Sequence, residues 1–597
     1  MFFRIVILQA ALFITLQAVF SQPLNDKVDI TTALKEKFTD RSGNTLTGKG
    51  VVIGDVDSGV DIFHPMFFFA DGGDFKWTDV NGDGTLTFGT DGVDLNSNGT
   101  IESNEVLRYI ELRDNTWGLL PGTDAKKYNP EYDFIYVDVN GNKRRDFGPD
   151  KGFKETDPTY GEQLLISVDD NKNGTIDGGE KLIALKTSKI RAVRERDGKV
   201  RRRGIDLIYT EEDSSGHGTG VAGLLLGGTY GVQKIQGVAP EAELIVSCIR
   251  YDYTPRFVRN FPEHLNFLRD EKVNILLIED GEWMNEFMDG SSPEEQILNE
   301  MAREGITIVG GAGNFTTGNM LIMDTLTAGK EVKYQAEAPS TTEGKTNDGV
   351  FFSFLWPNTN TNIDFTLETP DKNKVELNSG SGLVKAGSYN IYYAKETSPK
   401  GTVMFRFGCS KSDSGTVSGS WKFSLKSDGE AILRAFIVDV SQSWSGNSHW
   451  KDSPKISDES NVCFPSTADS CIAVGAYVVN FGWMDKVGDI ASYSSKGYNI
   501  TGKLGIDITG PGHSTITTEK DYGYQMFSGT SAAAPHVVGA AALLLQYQPG
   551  LTHTQIRQIL LNSATHDNFT ASVPNPTWGY GKLNIENAIK YLISNSN

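Results

Sequence analysis

Cysteine is scarce in this chain of 597 residues, with only Cys248, Cys409, Cys463 and Cys471. Four thiols are too few to build a disulfide scaffold, so the fold must rest on buried apolar cores. Cys463 and Cys471 flank a short loop and are the pair expected to bridge in an oxidising compartment, whereas Cys248 reads as a buried thiol in an apolar strand. Long apolar runs are also missing. The one candidate, Ile5 to Phe20 behind Arg4, is shorter than a spanning helix, and Val19 and Ser21 form a small-residue cleavage site. Residues 1–21 therefore read as a signal peptide, and the remainder as a secreted protein, extracellular or periplasmic, without membrane insertion. Basic charge is in deficit: 56 Lys and Arg stand against 76 Asp and Glu, a net charge of −20. That balance excludes a nucleic-acid partner held by phosphate contacts. Oligomeric state is left open.

Four short segments carry reactive side chains. Val51 to Val60 reads as a buried parallel strand that ends on Asp57, where α/β folds place their sites. Ser215 to Gly223 sets His217 between glycines at the start of a helix. Ile306 to Asn314 is a strand that delivers the carboxamide of Asn314. Phe527 to His536 is a Gly-Thr-Ser turn running into a small-residue helix, with Ser531 at the helix N-terminus. Free N–H groups and the positive end of the helix dipole converge there, which suits a nucleophile whose attack creates an oxyanion.

In this order, Asp57-Ser58-Gly59, Gly216-His217-Gly218-Thr219, Gly311-Ala312-Gly313-Asn314 and Gly529-Thr530-Ser531-Ala532 resemble the motifs of the subtilisin-like serine peptidases, the subtilase family. Gly237-Val238-Ala239-Pro240, Tyr493-Ser494-Ser495-Lys496-Gly497 and Trp578-Gly579-Tyr580-Gly581 add to the resemblance, which covers about half the chain in separated blocks. The resemblance implies a three-layer α/β core with a parallel sheet. It also implies a secreted serine endopeptidase acting on protein or peptide substrates through Asp57, His217 and Ser531, with Asn314 as oxyanion donor. The strand that forms the family's substrate-binding edge corresponds to Ile278-Glu279-Asp280-Gly281, so Glu279, Asp280 and Gly281 are expected near the specificity pockets, with a preference for basic residues. A catalytically silent adaptor and a calcium-dependent binding protein are the readings from other classes.

Two stretches interrupt the resemblance within residues 22–597, at 71–204 and 320–457. The first contains two complete twelve-residue calcium loops. One supplies Asp94, Asn96, Asn98, Thr100, Glu102 and Glu105, the other Asp169, Asn171, Asn173, Thr175, Asp177 and Glu180. A third start, Asp79, Asn81, Asp83 and Thr85, meets Thr90 where the closing Glu belongs. A fourth, Asp138, Asn140 and Asn142, has Lys143 where Gly belongs. The flanks alternate like strands, so structural Ca2+ that orders the insertion is expected, not a sensor. The first insertion closes on a basic strand-turn-strand arm about Asp197-Gly198, read as solvated. The second alternates in short Thr-, Ser- and Lys-rich segments and reads as an all-β sandwich or jelly-roll module.

Overall fold

A computed structural model describes residues 38–595, except for 117, 119, 121–126, 250–260, 280, 282, 343, 358–359, 378–379, 441–446 and 482–484. The expected signal peptide and Asp280 lie outside the described residues.

Short apolar runs between glycine-rich turns form an eight-stranded sheet. In chain order its strands are β1 (Val52–Asp57), β2 (Ile190–Arg194), β3 (Val200–Arg202), β4 (Glu243–Cys248), β5 (Ile275–Ile278), β6 (Thr307–Gly311), β7 (Ile472–Val478) and β8 (Ile508–His513). Their spatial order is β8-β7-β6-β5-β1-β4-β2-β3, and every neighbouring pair is parallel except β2 and β3. Both faces are covered, as an all-apolar parallel strand requires. Ile53, Leu277 and Val309 point into one cluster with helices α1 (His217–Leu226) and α4 (Thr530–Tyr547). Val56, Ile278 and Ile308 point into another, with α2 (Phe261–Asp270) and α3 (Pro293–Arg303). Two further helices, α5 (His553–Asn562) and α6 (Ile585–Asn595), pack with α4 into the first cluster. This is the expected three-layer α/β core. Helix α4 is buried from Thr530 through Leu545 and apolar on all sides, as a central core helix must be.

The basic arm is not a free hairpin. Its β2 strand pairs with β4 inside the main sheet and buries Ile190, Ala192 and Val193. Its charges are paired at the rim, with Arg202 on Glu271 and Arg201 on Glu195 and Asp206.

The second insertion folds as two antiparallel sheets. One runs Leu321–Leu326, Ala431–Asp439, Gly349–Trp356, Val403–Lys411, Tyr389–Thr397, Ser381–Ala386; the other Lys374–Leu377, Ile363–Glu368, Gly419–Ser427, Glu331–Ala338, His449–Lys451. Phe352, Phe354, Phe365, Phe407, Phe423, Trp421 and Trp450 from the two sheets share one core. That core continues toward the α/β layer through Trp283 and Met288, and Arg406 Nη1 reaches Asn285 Oδ1 at 2.6 Å. The module is thus docked on the segment that follows β5.

The expected disulfide is absent. Cys463 and Cys471 are both buried thiols with no disulfide between them. Cys463 Sγ turns to the carbonyl of Ala312 and packs so closely on Gly281 and Gly313 that a Cβ on either would stand 2.9 Å from it. Cys471 Sγ turns to its neighbour's carbonyl, Ile472 O, beside Gly310. The loop between them aims the two sulfurs at different glycines, and glycine is what leaves room for each.

Candidate active site

Strand alternation decides which acids reach the site. Asp57 ends β1 and Asp55 lies two residues earlier, so both share the α1/α4 face with Ile53. On the neighbouring strand Glu279 follows Leu277 by two residues and joins them.

His217 is the first residue of α1, and its Nδ1 lies 2.8 and 2.9 Å from the two carboxylate oxygens of Asp57. This approach depends on Gly218, because a Cβ there would stand 2.1 Å from Gly59 O. Asp57 is fully buried, while the imidazole keeps a quarter of its surface exposed. Phe527 packs against the His217 ring at 5.2 Å, edge to face.

The start of α1 is held by an acid outside the sequence motifs. Asp213 accepts from Gly216 N, Thr219 N and Thr219 Oγ1, and from Ser58 Oγ at 2.8 Å. Ser58 Oγ in turn accepts from Gly218 N. Asp213 therefore ties the Asp57 turn to the His217 helix. Its signal in the sequence is a capping pattern, an Asp a few residues before a helix start.

Ser531 sits in the first turn of α4 and is 9% exposed. Asn314 Oδ1 accepts from Thr530 N at 2.8 Å and from Thr530 Oγ1 at 3.2 Å. These bonds fix the carboxamide, leaving Nδ2 on the side of Gly529 and Ser531.

Glu279 is buried rather than open to a pocket, and neither carboxyl oxygen completes a hydrogen bond. Burial, then the charges of Asp57 and Asp55, push its pKa well above the usual range; the nearby Ser531 hydroxyl offsets this only in part. Asp55 is in the same condition: fully buried, both oxygens unpartnered, and pushed well up by burial, Asp57 and Asp213. One carboxylate of the three, Asp57, has hydrogen-bond partners in Ser58 N and His217 Nδ1. Burial and like charges push the other two toward the neutral form. A buried Glu279 is not presented to a substrate side chain, so of the two acids expected to set a basic preference it does not line an open pocket, and Asp280 lies outside the described residues. Gly281 lies beyond it against Cys463.

In the first insertion the two complete loops fold alike. Ser97 and Gly99 take positive φ in one, Lys172 and Gly174 in the other. Asp94 Oδ2 accepts from Gly99 N, and Asp169 Oδ2 from Gly174 N, each at 2.8 Å. The closing Glu grips the loop at its second and ninth residues: Glu105 takes Leu95 N and Glu102 N, and Glu180 takes Asp170 N and Asp177 N. In the third loop, Gly82 and Gly84 have positive φ and Asp79 accepts from both. Its closing acid is Asp91, one residue past Thr90, which takes Val80 N and Thr87 N. A strict twelve-residue template misses Asp91 by one position. Among the described residues no three His, Cys, Asp or Glu groups gather tightly enough to hold an ion alone. The donor sets instead mix carboxylate, Asn and Thr oxygens, a hard all-oxygen chemistry that fits calcium.

These features define the chain's class. A parallel α/β sheet sets an Asp–His pair at its carboxyl edge, beside a serine at the start of a buried helix. The subtilase family profile matches residues 48–361 and 426–581, and the chain belongs to that family. It is 35% identical to subtilisin DY from Bacillus licheniformis over 132 residues, 22% of this chain and 41% of that protein. It is 36% identical to alkaline elastase YaB from Bacillus sp. (strain YaB) over 130 residues, 22% of this chain and 30% of that one. The serine protease AprX of Bacillus subtilis (strain 168) matches at 32% over 146 residues, 22% and 32% of the two chains. The matched stretch thus spans less than half of each of these relatives. Among solved structures, the Clostridium perfringens CspB protease superposes with a TM-score of 0.59 at 17% identity, covering 92% of this chain and 96% of that one, a likeness of fold.

Proposed function

We propose that this subtilase is a serine endopeptidase that cleaves proteins or peptides through an acyl-enzyme. The observation that carries the reading is the Asp57–His217 pair on the same sheet face as Ser531. Ser531 Oγ attacks the scissile carbonyl carbon while His217 takes its proton. Asp57 holds the Nδ1–H tautomer and stabilises the imidazolium without itself being protonated. The tetrahedral oxyanion is met by the Ser531 N–H and Asn314 Nδ2. His217 then gives the proton to the leaving amine, the C–N bond breaks, and an ester to Ser531 remains. Water attacks that ester with His217 again as base; the ester C–O bond breaks, His217 returns the proton to Ser531 Oγ, and the acid product leaves.

Calcium, when bound in the loops of the first insertion, would neutralise their carboxylates and fix their shape. Asp94, Asn96, Asn98 and Glu105 would hold one ion, Asp169, Asn171, Asn173 and Glu180 another, and Asp79, Asn81, Asp83 and Asp91 a third. The coupling is structural: strand Arg113–Asn115, which follows the loops at 79–91 and 94–105, pairs with strand Gly523–Phe527 just before Ser531. Ordering the insertion therefore stiffens the approach to the nucleophile. Secretion fits the acidic surface charge and the N-terminal segment, and among the described residues no helix is long and apolar enough to cross a membrane.

The test is hydrolysis of labelled casein by the purified protein, with and without calcium, beside Ser531→Ala. Activity lost in the variant and depressed by chelator supports both parts. Equal activity in Ser531→Ala refutes the nucleophile.

A further inference from the structure

We infer that Asp138, Asn140, Asn142 and Asp146, closed by Glu162 from a different segment, form a further calcium-class cation site. The inference extends the calcium reading above to a loop whose sequence breaks the pattern in two ways. Lys143 stands where glycine belongs, and no acid occupies the twelfth position, where Pro149 falls.

The backbone has nevertheless taken the shape of the complete loops. Gly141 and Lys143 have φ of 73° and 65°, at the positions that Ser97 and Gly99 occupy in the first loop. Asp138 Oδ2 accepts from Lys143 N at 3.0 Å, as Asp94 Oδ2 does from Gly99 N. A lysine in the left-handed region is strained, so another interaction must offset that conformation.

The missing acid arrives from across a strand pair. Glu162 Oε1 takes Val139 N at 3.0 Å and Oε2 takes Asp146 N at 2.9 Å. These are the second and ninth residues of the loop, the same two that Glu105 and Glu180 grip in theirs. An isolated bridge between Phe147 and Gly161 sets the register, with Glu162 N donating to Asp146 O. Gly161 permits it, since a Cβ there would stand 2.6 Å from Phe147 Cβ.

Loop shape alone would not call for an ion; an orphaned oxygen does. Asp138 is fully buried, and its Oδ1 has no hydrogen-bond partner. It belongs to the first residue of the loop, the position from which the bound cation is approached. Around it the negative charge is only partly met. Arg108 Nε lies 2.5 Å from the other Asp138 oxygen, and Lys151 Nζ lies 3.3 Å from Asp146 Oδ1. Asn140 and Asn142 turn their amide nitrogens onto Asp146 Oδ2, each at 2.6 Å. Amide oxygen and nitrogen exchange by a simple flip, and flipped, both side chains present oxygen to a cation. A carboxylate oxygen buried without a proton donor or cation is strongly unfavourable. A hard divalent ion satisfies it with an all-oxygen set.

The experiment counts ions on the full chain in the Ser531→Ala background, which prevents self-cleavage. Chelator-stripped protein is titrated with calcium by equilibrium dialysis and calorimetry, beside Glu162→Gln and beside the surface double variant Asn140→Ala/Asn142→Ala. The expected result is one calcium fewer per chain in both variants, with thermal melts that coincide with the parent in chelator and separate in calcium. An unchanged ion count in the surface variant, which leaves the buried Glu162 in place, overturns the site even if Glu162→Gln fails to fold. Parent protein that binds no calcium at all overturns the wider calcium reading, whereas binding in the parent that both variants retain overturns this site alone.

Discussion

Lys189 gives a sharp test of how the histidine helix is anchored. Its side chain is 1% exposed, and its Nζ donates to Leu226 O at 2.7 Å and Gly228 O at 2.5 Å. These carbonyls close the C-terminal end of α1, with His217 at the other end. A cation there complements the helix dipole, but burial brings the lysine pKa down from 10.5 to about 7, with Glu241 offsetting only part of the effect. The sign follows from proton linkage. Below about pH 7 both folded and unfolded chains hold the proton, and the cost of burying the charge is felt in full. Between about 7 and 10.5 only the unfolded chain holds it, so stability rises with pH. At about 1.4 kcal/mol per pH unit, the full window is worth on the order of 5 kcal/mol. Lys189→Met removes the titration and leaves the two carbonyls without their donor. The assay is urea unfolding of the Ser531→Ala protein with and without Lys189→Met, followed by tryptophan fluorescence from about pH 6.5 to 9.5, a range that spans most of this window. The stability gap between them should widen in favour of lysine as pH rises. A gap that stays flat across this range refutes a neutral folded-state lysine.

Asn314→Ala should lower kcat by about 10²–10³ with little change in KM, because its amide meets charge that exists only in the transition state. Glu279 should stay neutral until well past the usual carboxylate range, after which a new negative charge beside Ser531 and Asp57 opposes the oxyanion. The wild type should therefore show, at pH above the usual carboxylate range, a fall in kcat/KM that Glu279→Gln lacks; coincident profiles would count against it. Chelator should lower the melting temperature and speed digestion within residues 71–204, and an unchanged melt would argue that the loops do not need metal. All four thiols should resist a disulfide reagent in the native protein and react in full once it is denatured; a count of two in denaturant would restore the Cys463–Cys471 bridge.

Segments whose meaning is local are legible in the chain's own residues. Strand β1 ends on Asp57 because a run of apolar residues stops at a Ser-Gly turn, and α4 begins at Thr530 because Gly529 precedes a small-residue run. The two complete loops of the first insertion, 94–105 and 169–180, are local in the same sense, since each closes within twelve residues. Asp91 and Glu162 are not legible, because the acid that completes each loop lies outside the template, by one residue in one case and across a strand pair in the other. The thiols mislead for a related reason: nearness in sequence says nothing of where each Sγ points, and close-packed glycines aim them apart.

The basic arm shows the same limit from the other side. Its turn at Asp197-Gly198 is plain, with Gly198 at a φ of 90°, yet its charge suggests a solvated hairpin. Pairing with β4 makes it part of the main sheet, and its arginines find acids at the rim. By itself, then, the sequence determined the order of the four motif segments and the parallel core. These depend on short-range patterns of polarity and backbone freedom. Only the tertiary structure decided that burial pushes Asp55 and Glu279 toward the neutral form beside an Asp57 that holds His217. All three acids lie on one face of neighbouring strands, and what separates them is which one has hydrogen-bond donors within reach once water is gone.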